Sequence, residues 1–499
     1  MEIKVVSGDI TRIEADAIVV NLFEGVEEIG GAIAAVDQAL GGAISALIKQ
    51  GEIKGKLGEV GVIHTLGKLP ARIVAVAGLG KRQDFDLDRV RQAAGNFCRS
   101  LRRSNCPKIA TILHGAGVGG IVPEAASQAI AEGVLLGLYS FQKYKKPDYK
   151  DVEELLMVER DESKLPGIEQ AVHRGRTIAE AAILARDMVN EPANYMTPSR
   201  MAEIAREIGE TDGLEFEVFD SQDMESIGMG ALLGVARGSS EPPKLIVLGY
   251  RGNKESKSAI GFLGKGITFD SGGISIKPSE GMADMKDDMA GGAAVMAAIK
   301  AIAQLKLEIN VTAVIPATEN LPSGTALKPG DILKALNGKT IEVINTDAEG
   351  RLILADALSY AVKEGLSSLI DLATLTGACR VALGTAYSGG FTNNQKLMDE
   401  VLQASSRTGE KLWQMPMPEE YKEMVKSQIA DIKNVGNRYG GAITAALFLS
   451  EFVGDVPWVH IDIAGTASSE KENGYIVKGA TGVGVRTLVE LAISSAKGA

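Results

Sequence analysis

Cysteine is scarce in this chain of 499 residues: there are three, Cys98, Cys106 and Cys379, and no two form a CxxC pair. That excludes a disulfide framework and points to a reducing compartment. Histidine is nearly as scarce. The four, His64, His114, His173 and His460, all lie outside the polar, glycine-rich stretches described below. A histidine-based zinc site, or a Ser-His-Asp triad through Ser271, is therefore unattractive. Aromatic residues are 5% of the chain while glycines number 58, a balance suited to the many tight loops of an α/β fold. No apolar run reaches the roughly 20 residues of a membrane-spanning helix. Met1 to Lys4 lead straight into a strand pattern, without the segments of a secretory signal. The expectation is a cytoplasmic protein with no membrane partner. Basic excess is absent as well: the formal net charge is −11, which argues against a general nucleic-acid binder. No repeat or low-complexity tract stands out.

What is present is length enough for two or more domains. Strand and helix patterns alternate from the start, implying a parallel α/β sheet. Strands are expected at Glu2 to Gly8, Ala15 to Asn21, Gly61 to Thr65, Arg72 to Ala77 and Lys108 to His114. Helices are expected at Gly30 to Gln50, Asp86 to Arg103 and Pro123 to Leu138. Gly8 to Thr11 and Asp16 to Val19 resemble the opening of macrodomains. Asn21-Leu22-Phe23-Glu24 replaces their Asn-rich stretch, so ADP-ribose binding is not carried over. Gly115 to Gly120 matches G-x-G-x-x-G, but no acidic partner follows at the required distance, and a plain glycine turn is the stronger reading. A charge-rich stretch from Lys143 to Lys164 ends at Pro166 and closes a first domain, 1–165. Apolar residues at helical spacing from Ile168 to Met188 predict a connecting helix over 166–192, stopped by Pro192. The remainder, 193–499, carries the apolar runs of buried parallel strands at Lys244 to Leu248, Ser258 to Leu263, Asn310 to Ile315, Leu369 to Leu372 and Trp458 to Ile463.

The polar residues of this second part cluster where strands end. Asn345-Thr346-Asp347-Ala348-Glu349-Gly350-Arg351-Leu352 follows a strand pattern, Ile341 to Ile344, and precedes a helix pattern, Leu352 to Ala361. Two carboxylates two residues apart are costly unless a cation lies between them, and a divalent metal is the natural one. The plain alternative is an acidic cluster capping the following helix. A strand ending near Leu263 runs into Gly264 to Gly273, with Lys265 and Asp270. Lys277 follows, and Asp288 opens an Ala/Gly-rich helix. Functional groups in open α/β sheets stand at the carboxyl edge. Converging there, Lys265, Asp270, Lys277, Asp288, Asp347, Glu349 and Arg351 would make a site of four carboxylates and three cations. Carboxylates holding two divalent ions are a hydrolytic arrangement, with Mg, Mn or Zn as candidate ions.

Asn345 to Leu352 looks like the signature of the leucyl aminopeptidase (cytosol aminopeptidase) family. The resemblance extends over Asn190 to Pro198, Gly264 to Lys277, Asp288 onward, Asp371 to Ala378, Gly440 to Leu447 and Trp458 to Gly465, and so covers the chain after about residue 190. It implies a dimetal aminopeptidase. Asp270, Asp288, Asp347 and Glu349 match the carboxylate ligands of two ions, Mn2+ or Zn2+, and Lys265 matches an amine ligand. Lys277 matches the lysine that polarises the scissile carbonyl. Arg351 matches the arginine that holds a bicarbonate acting as general base. The implied reaction is attack of a metal-bridging hydroxide on the first peptide bond, with the free N-terminal amine bound by a metal. Met285, Thr374, Gly377, Ala464 and Ala467 match the first side-chain pocket; their apolar character suits Leu or Met, and Ala467 stands where some relatives carry a larger Met. A homohexamer with active sites facing an inner cavity is implied as well.

Two other readings make different demands. A two-metal phosphatase or nuclease would turn over phosphate esters without needing a free amine. A DNA-binding role for residues 1–165 would need a basic face. That segment is close to neutral, and its one cluster, Lys143, Lys145, Lys146 and Lys150, reads as a solvated linker.

Overall fold

A computed structural model gives the fold and describes residues 1–497 apart from Val118 and Lys146. The chain divides into two compact units: residues 1–180 together with 470–478, and the rest. The first unit is built on a six-stranded sheet in the order Glu2–Ser7, Glu154–Glu159, Lys108–Ile112, Ala17–Leu22, Ile73–Gly78, Val60–His64. All neighbours are parallel except the last pair. Ile73–Gly78 is buried throughout, as a continuous apolar strand covered on both faces must be. On one face Phe97, Leu101, Ile130 and Val134 of the helices Leu87–Arg103 and Pro123–Leu138 meet Ile109 and Leu155 of the sheet.

The single helix expected over Gly30 to Gln50 is two, Ala32–Ala39 and Ala43–Lys49. Gly41 and Gly42, with φ of 74° and 83°, take the left-handed conformation that ends a helix. Gly115 to Gly120 forms a turn in which the Ile121 amide donates to the Gly115 carbonyl at 3.2 Å; Val118 lies outside the described residues. The helix expected over 166–192 spans Leu165–Asn190.

The second unit contains a nine-stranded sheet. Its central strands Trp458–Asp462, Ser368–Ala373, Ile260–Gly264 and Asn310–Asn320 are mutually parallel neighbours. Lys244–Arg251 lies antiparallel to Asn310–Asn320, correcting the parallel expectation. An apolar run reports that both faces are covered; it carries no information on strand direction. Asn310–Asn320 is longer than its apolar run and buried over all 11 residues. Its first half pairs with Ile260–Gly264 and its second with Gly266–Asp270, and Asn320 stands opposite Asp270.

The helix Ala290–Gln304 packs on this sheet through Gly291, where a Cβ would sit 2.0 Å from the Leu372 carbonyl oxygen. Only glycine permits that approach, which brings Asp288, in the preceding 3-10 turn Met282–Met289, to the carboxyl edge. The strand before Asp347 is Thr340–Glu342, and it belongs to a separate three-stranded sheet with Ile332–Lys334 and Ile432–Lys433. Asp347, Glu349 and Arg351 therefore do not project from a main-sheet strand as expected; an apolar run specifies burial and leaves the sheet it joins open. Among the described residues no single helix is long and apolar enough to cross a membrane.

Candidate active site

Lys265 joins two consecutive strands, Ile260–Gly264 and Gly266–Asp270, and its backbone is pinned on both sides. Its amide donates to the Leu372 carbonyl at 3.0 Å, and its carbonyl accepts from the Gly292 amide at 2.8 Å. The side chain is buried, with Nζ 2.7 Å from Asp288 and 2.8 Å from Glu349 Oε1. Nζ also donates to the Thr374 carbonyl at 3.2 Å, and Thr374 Oγ1 donates to Asp288 Oδ1 at 2.7 Å. The lysine stem runs over Gly350, where a Cβ would lie 2.4 Å from Lys265 Cε and 2.6 Å from Nζ.

Lys277 makes a second bridge, its Nζ 2.8 Å from Asp270 Oδ2 and 2.5 Å from Asp347 Oδ1. Asp270, Asp347 and Glu349 each present a carboxylate oxygen such that the three lie within 4.8 Å of one another. Lys265, Asp270, Lys277, Asp288, Asp347 and Glu349 thus form one network. Arg351 is directed elsewhere: its Nη1 donates to the Asn434 carbonyl at 2.7 Å, while its buried Nε has no hydrogen-bond partner.

Three polar residues that sequence reasoning did not select hold this arrangement. Asn320 Nδ2 donates to Asp270 Oδ1 at 2.8 Å and to the Thr346 carbonyl at 3.0 Å, and lies 3.4 Å from Glu349 Oε2. Thr346 Oγ1 donates to the Gly272 carbonyl at 2.7 Å and accepts from the Ser275 amide at 2.8 Å, tying the loop of Asp347 to that of Lys277. Asn434 accepts from the Ile344 amide and donates to the Asn345 carbonyl, at 2.8 and 2.7 Å. No spacing rule marks these three: Thr346 lies inside the acidic motif, while Asn320 and Asn434 are remote from it in sequence.

Burial pushes the carboxyls of Asp288, Glu349 and Asp347 above the usual range, and repulsion from Asp270 adds to each. Burial alone would pull Lys265 and Lys277 down, but the surrounding carboxylates overcome it and both amines are raised. Burial lowers the Arg351 guanidinium to about 10, against the pull of Glu349 and Asp462. Four carboxylates therefore share two ammonium groups in a region largely closed to water. Asp288 Oδ2 and Asp347 Oδ1 are buried, and each has an ion-pair contact with one lysine Nζ and no further hydrogen bond. Such a set of hard oxygen donors, short of positive charge, fits divalent cations.

Of the five expected pocket residues, Thr374 touches the network directly. Met285 lies in the same 3-10 turn as Asp288, and Gly377 opens the helix Gly377–Leu383. Ala464 follows the strand Trp458–Asp462, and Ala467 is buried just beyond it.

A two-unit α/β chain with a charge-deficient carboxylate cluster at the carboxyl edge of a mainly parallel sheet has the form of a metal-dependent hydrolase. Comparison with known proteins gives the particular kind. The description "Cytosol aminopeptidase family, catalytic domain" matches residues 183–489, and that family's N-terminal domain matches 19–148. A probable cytosol aminopeptidase of Alkaliphilus metalliredigens is 47% identical over the whole of both chains, and one of Geobacter sp. (strain M21) is 48% identical over 98% of this chain and 99% of that one. Among solved structures, a mutant tomato leucine aminopeptidase superposes with a TM-score of 0.89 at 35% identity, covering 99% of this chain and 96% of that one. The bottromycin maturation enzyme BotP in complex with Mn gives 0.85 at 34% identity, over 97% of this chain and all of that one. The chain belongs to the cytosol aminopeptidase family and is a metallo-aminopeptidase.

Proposed function

We propose that the chain releases N-terminal amino acids, preferably Leu or other apolar residues, from peptides in the cytoplasm, using two divalent ions held by Asp270, Asp288, Asp347, Glu349 and, once the ions displace its proton, the Lys265 amine. Mn2+ or Zn2+ in that set would lower the pKa of water and neutralise charge developing on the scissile carbonyl. The carrying observation is the single buried network of four carboxylates and two lysines, with positive charge in deficit. Lys277, its side chain 22% exposed, stands at the open side of the cluster, where its ammonium can reach a carbonyl oxygen of a bound peptide. The buried, unpartnered Arg351 Nε, beside the start of a helix, suits a small anion. Bicarbonate held there would be the proton acceptor that no side chain of the network supplies. Thr374, Met285, Gly377, Ala464 and Ala467 would line the pocket for the first side chain. By the same family resemblance, the working form would be a homohexamer.

The test is hydrolysis of leucine p-nitroanilide beside its N-acetylated form, before and after chelation and with Mn2+ or Zn2+ restored. The expected result is cleavage of the free-amine substrate alone, lost on chelation and regained with metal. Equal cleavage of both forms, or turnover of a phosphate ester in place of either, would overturn the reading.

A further inference from the structure

We propose that Asp462 is a positioning residue for specificity, clamping the two loops that wall the first side-chain pocket; the inference rests on the aminopeptidase reading above. Asp462 ends the strand Trp458–Asp462 and stands opposite Ala373 at the end of the parallel neighbour Ser368–Ala373. The loops leaving these two strands carry Thr374 and Gly377 on one side, Ala464 and Ala467 on the other.

The Asp462 side chain is fully buried and draws both loops to itself. Its Oδ1 accepts from the amides of Leu375, Thr376 and Ala464, at 3.2, 3.4 and 3.1 Å. Its Oδ2 accepts from Thr376 Oγ1 at 2.7 Å. Thr376 Oγ1 in turn accepts from the Cys379 amide at 3.0 Å, capping the helix that Gly377 opens. Thr374, two residues earlier, is bound to Lys265 and Asp288. Any change in the clamp therefore reaches the pocket wall and the edge of the charged network together. Asp462 takes its direct hydrogen bonds from these N–H and O–H groups, and they offset the cost of burying its carboxylate, so both loops depend on the one side chain.

The chemistry separates the clamp from the charge. In Asp462→Asn the amide oxygen can accept the three backbone N–H groups, and the amide NH2 can donate to Thr376 Oγ1, which has lone pairs for both it and the Cys379 amide. Asp462→Ala removes every bond, and Thr376→Val removes one arm and the helix cap. The experiment measures kcat/KM of the Mn2+-loaded full chain for leucine, methionine and phenylalanine p-nitroanilides. We expect the leucine-to-phenylalanine ratio to shift by about fivefold or more in Asp462→Ala, modest beside the selectivity one methylene can give. Thr376→Val should move it in the same direction by about twofold or more, and Asp462→Asn should stay within about twofold of the parent. Should Asp462→Ala fail to fold, Thr376→Val and Asp462→Asn decide the matter. Lowered thermal stability with an unmoved ratio in the folded variants, or Asp462→Asn behaving like Asp462→Ala, would overturn the inference. An active parent with unmoved ratios removes this inference alone; a parent that cleaves no free-amine substrate removes the aminopeptidase reading beneath it.

Discussion

Asn320 and Gly350 touch no expected substrate, yet each fixes a member of the charged network. The amide of Asn320 supplies hydrogen bonds to Asp270 and to the backbone beside Asp347. Outer partners of this kind orient ligands, and their loss costs ~10–100-fold in metal affinity. Asn320→Ala should weaken Mn2+ binding by that amount in a calorimetric titration while leaving the circular dichroism spectrum unchanged. Gly350→Ala would place a methyl group 2.6 Å from Lys265 Nζ and must displace that side chain. A shift of ~1 Å in such a site costs on the order of 100-fold, so kcat/KM with saturating Mn2+ should fall to about that extent. The acidic residues were legible in the sequence because each stands in a glycine-rich turn where charge has no ordinary reason to gather. Asn320 was not, since a lone asparagine in a polar run has many possible uses and becomes meaningful only once it is opposite Asp270.

The same limit operates on elements. Asn310–Asn320 was readable as far as Ile315, where its apolar run ends at Pro316; the buried Glu319 and Asn320 are satisfied by partners remote in sequence. The helix Pro123–Leu138 was readable to the residue, its start marked by proline in the first turn rather than by a capping side chain. The helix Gly350–Lys363 shows how a buried polar group can bind elements that sequence does not connect. Its Asp356 is fully buried, with Oδ2 accepting from the Leu232 amide and Oδ1 from the Leu336 amide, both at 2.8 Å. Burial raises this carboxyl to about 7 in spite of those donors. Because each oxygen faces an N–H, an asparagine must turn its NH2 toward one of them. Asp356→Asn should therefore cost about 1–3 kcal/mol, seen as a lower urea midpoint for the second unit with an unchanged slope.

At the scale of the molecule, two units with separate sheets and cores should answer to different solution variables. All members of the charged network belong to the second unit, so Mn2+ should raise the unfolding midpoint of that unit alone. The gain would be about 2.7 kcal/mol at a hundredfold excess over Kd. The first unit should answer to acid through His114. Its imidazole is fully buried against Phe97, with Nε2 2.9 Å from Thr111 Oγ1 and Nδ1 without a partner. Burial pulls its pKa from 6.5 down to about 3. A base whose folded pKa is depressed gives its full stability above the unfolded value, and that stability drains as pH falls toward the folded one. Between pH 6.5 and 3 the unfolded chain takes a proton that the folded unit refuses. Each unit of pH there costs up to about 1.4 kcal/mol. His114→Gln, whatever its effect at neutral pH, should flatten the acid dependence of the first transition and leave the Mn2+ response of the second intact. Thermal unfolding followed at pH 7.0, 6.0 and 5.0, with and without Mn2+, reads both effects in one series. An acid slope equal to that of the parent would show that His114 is not the group that refuses the proton.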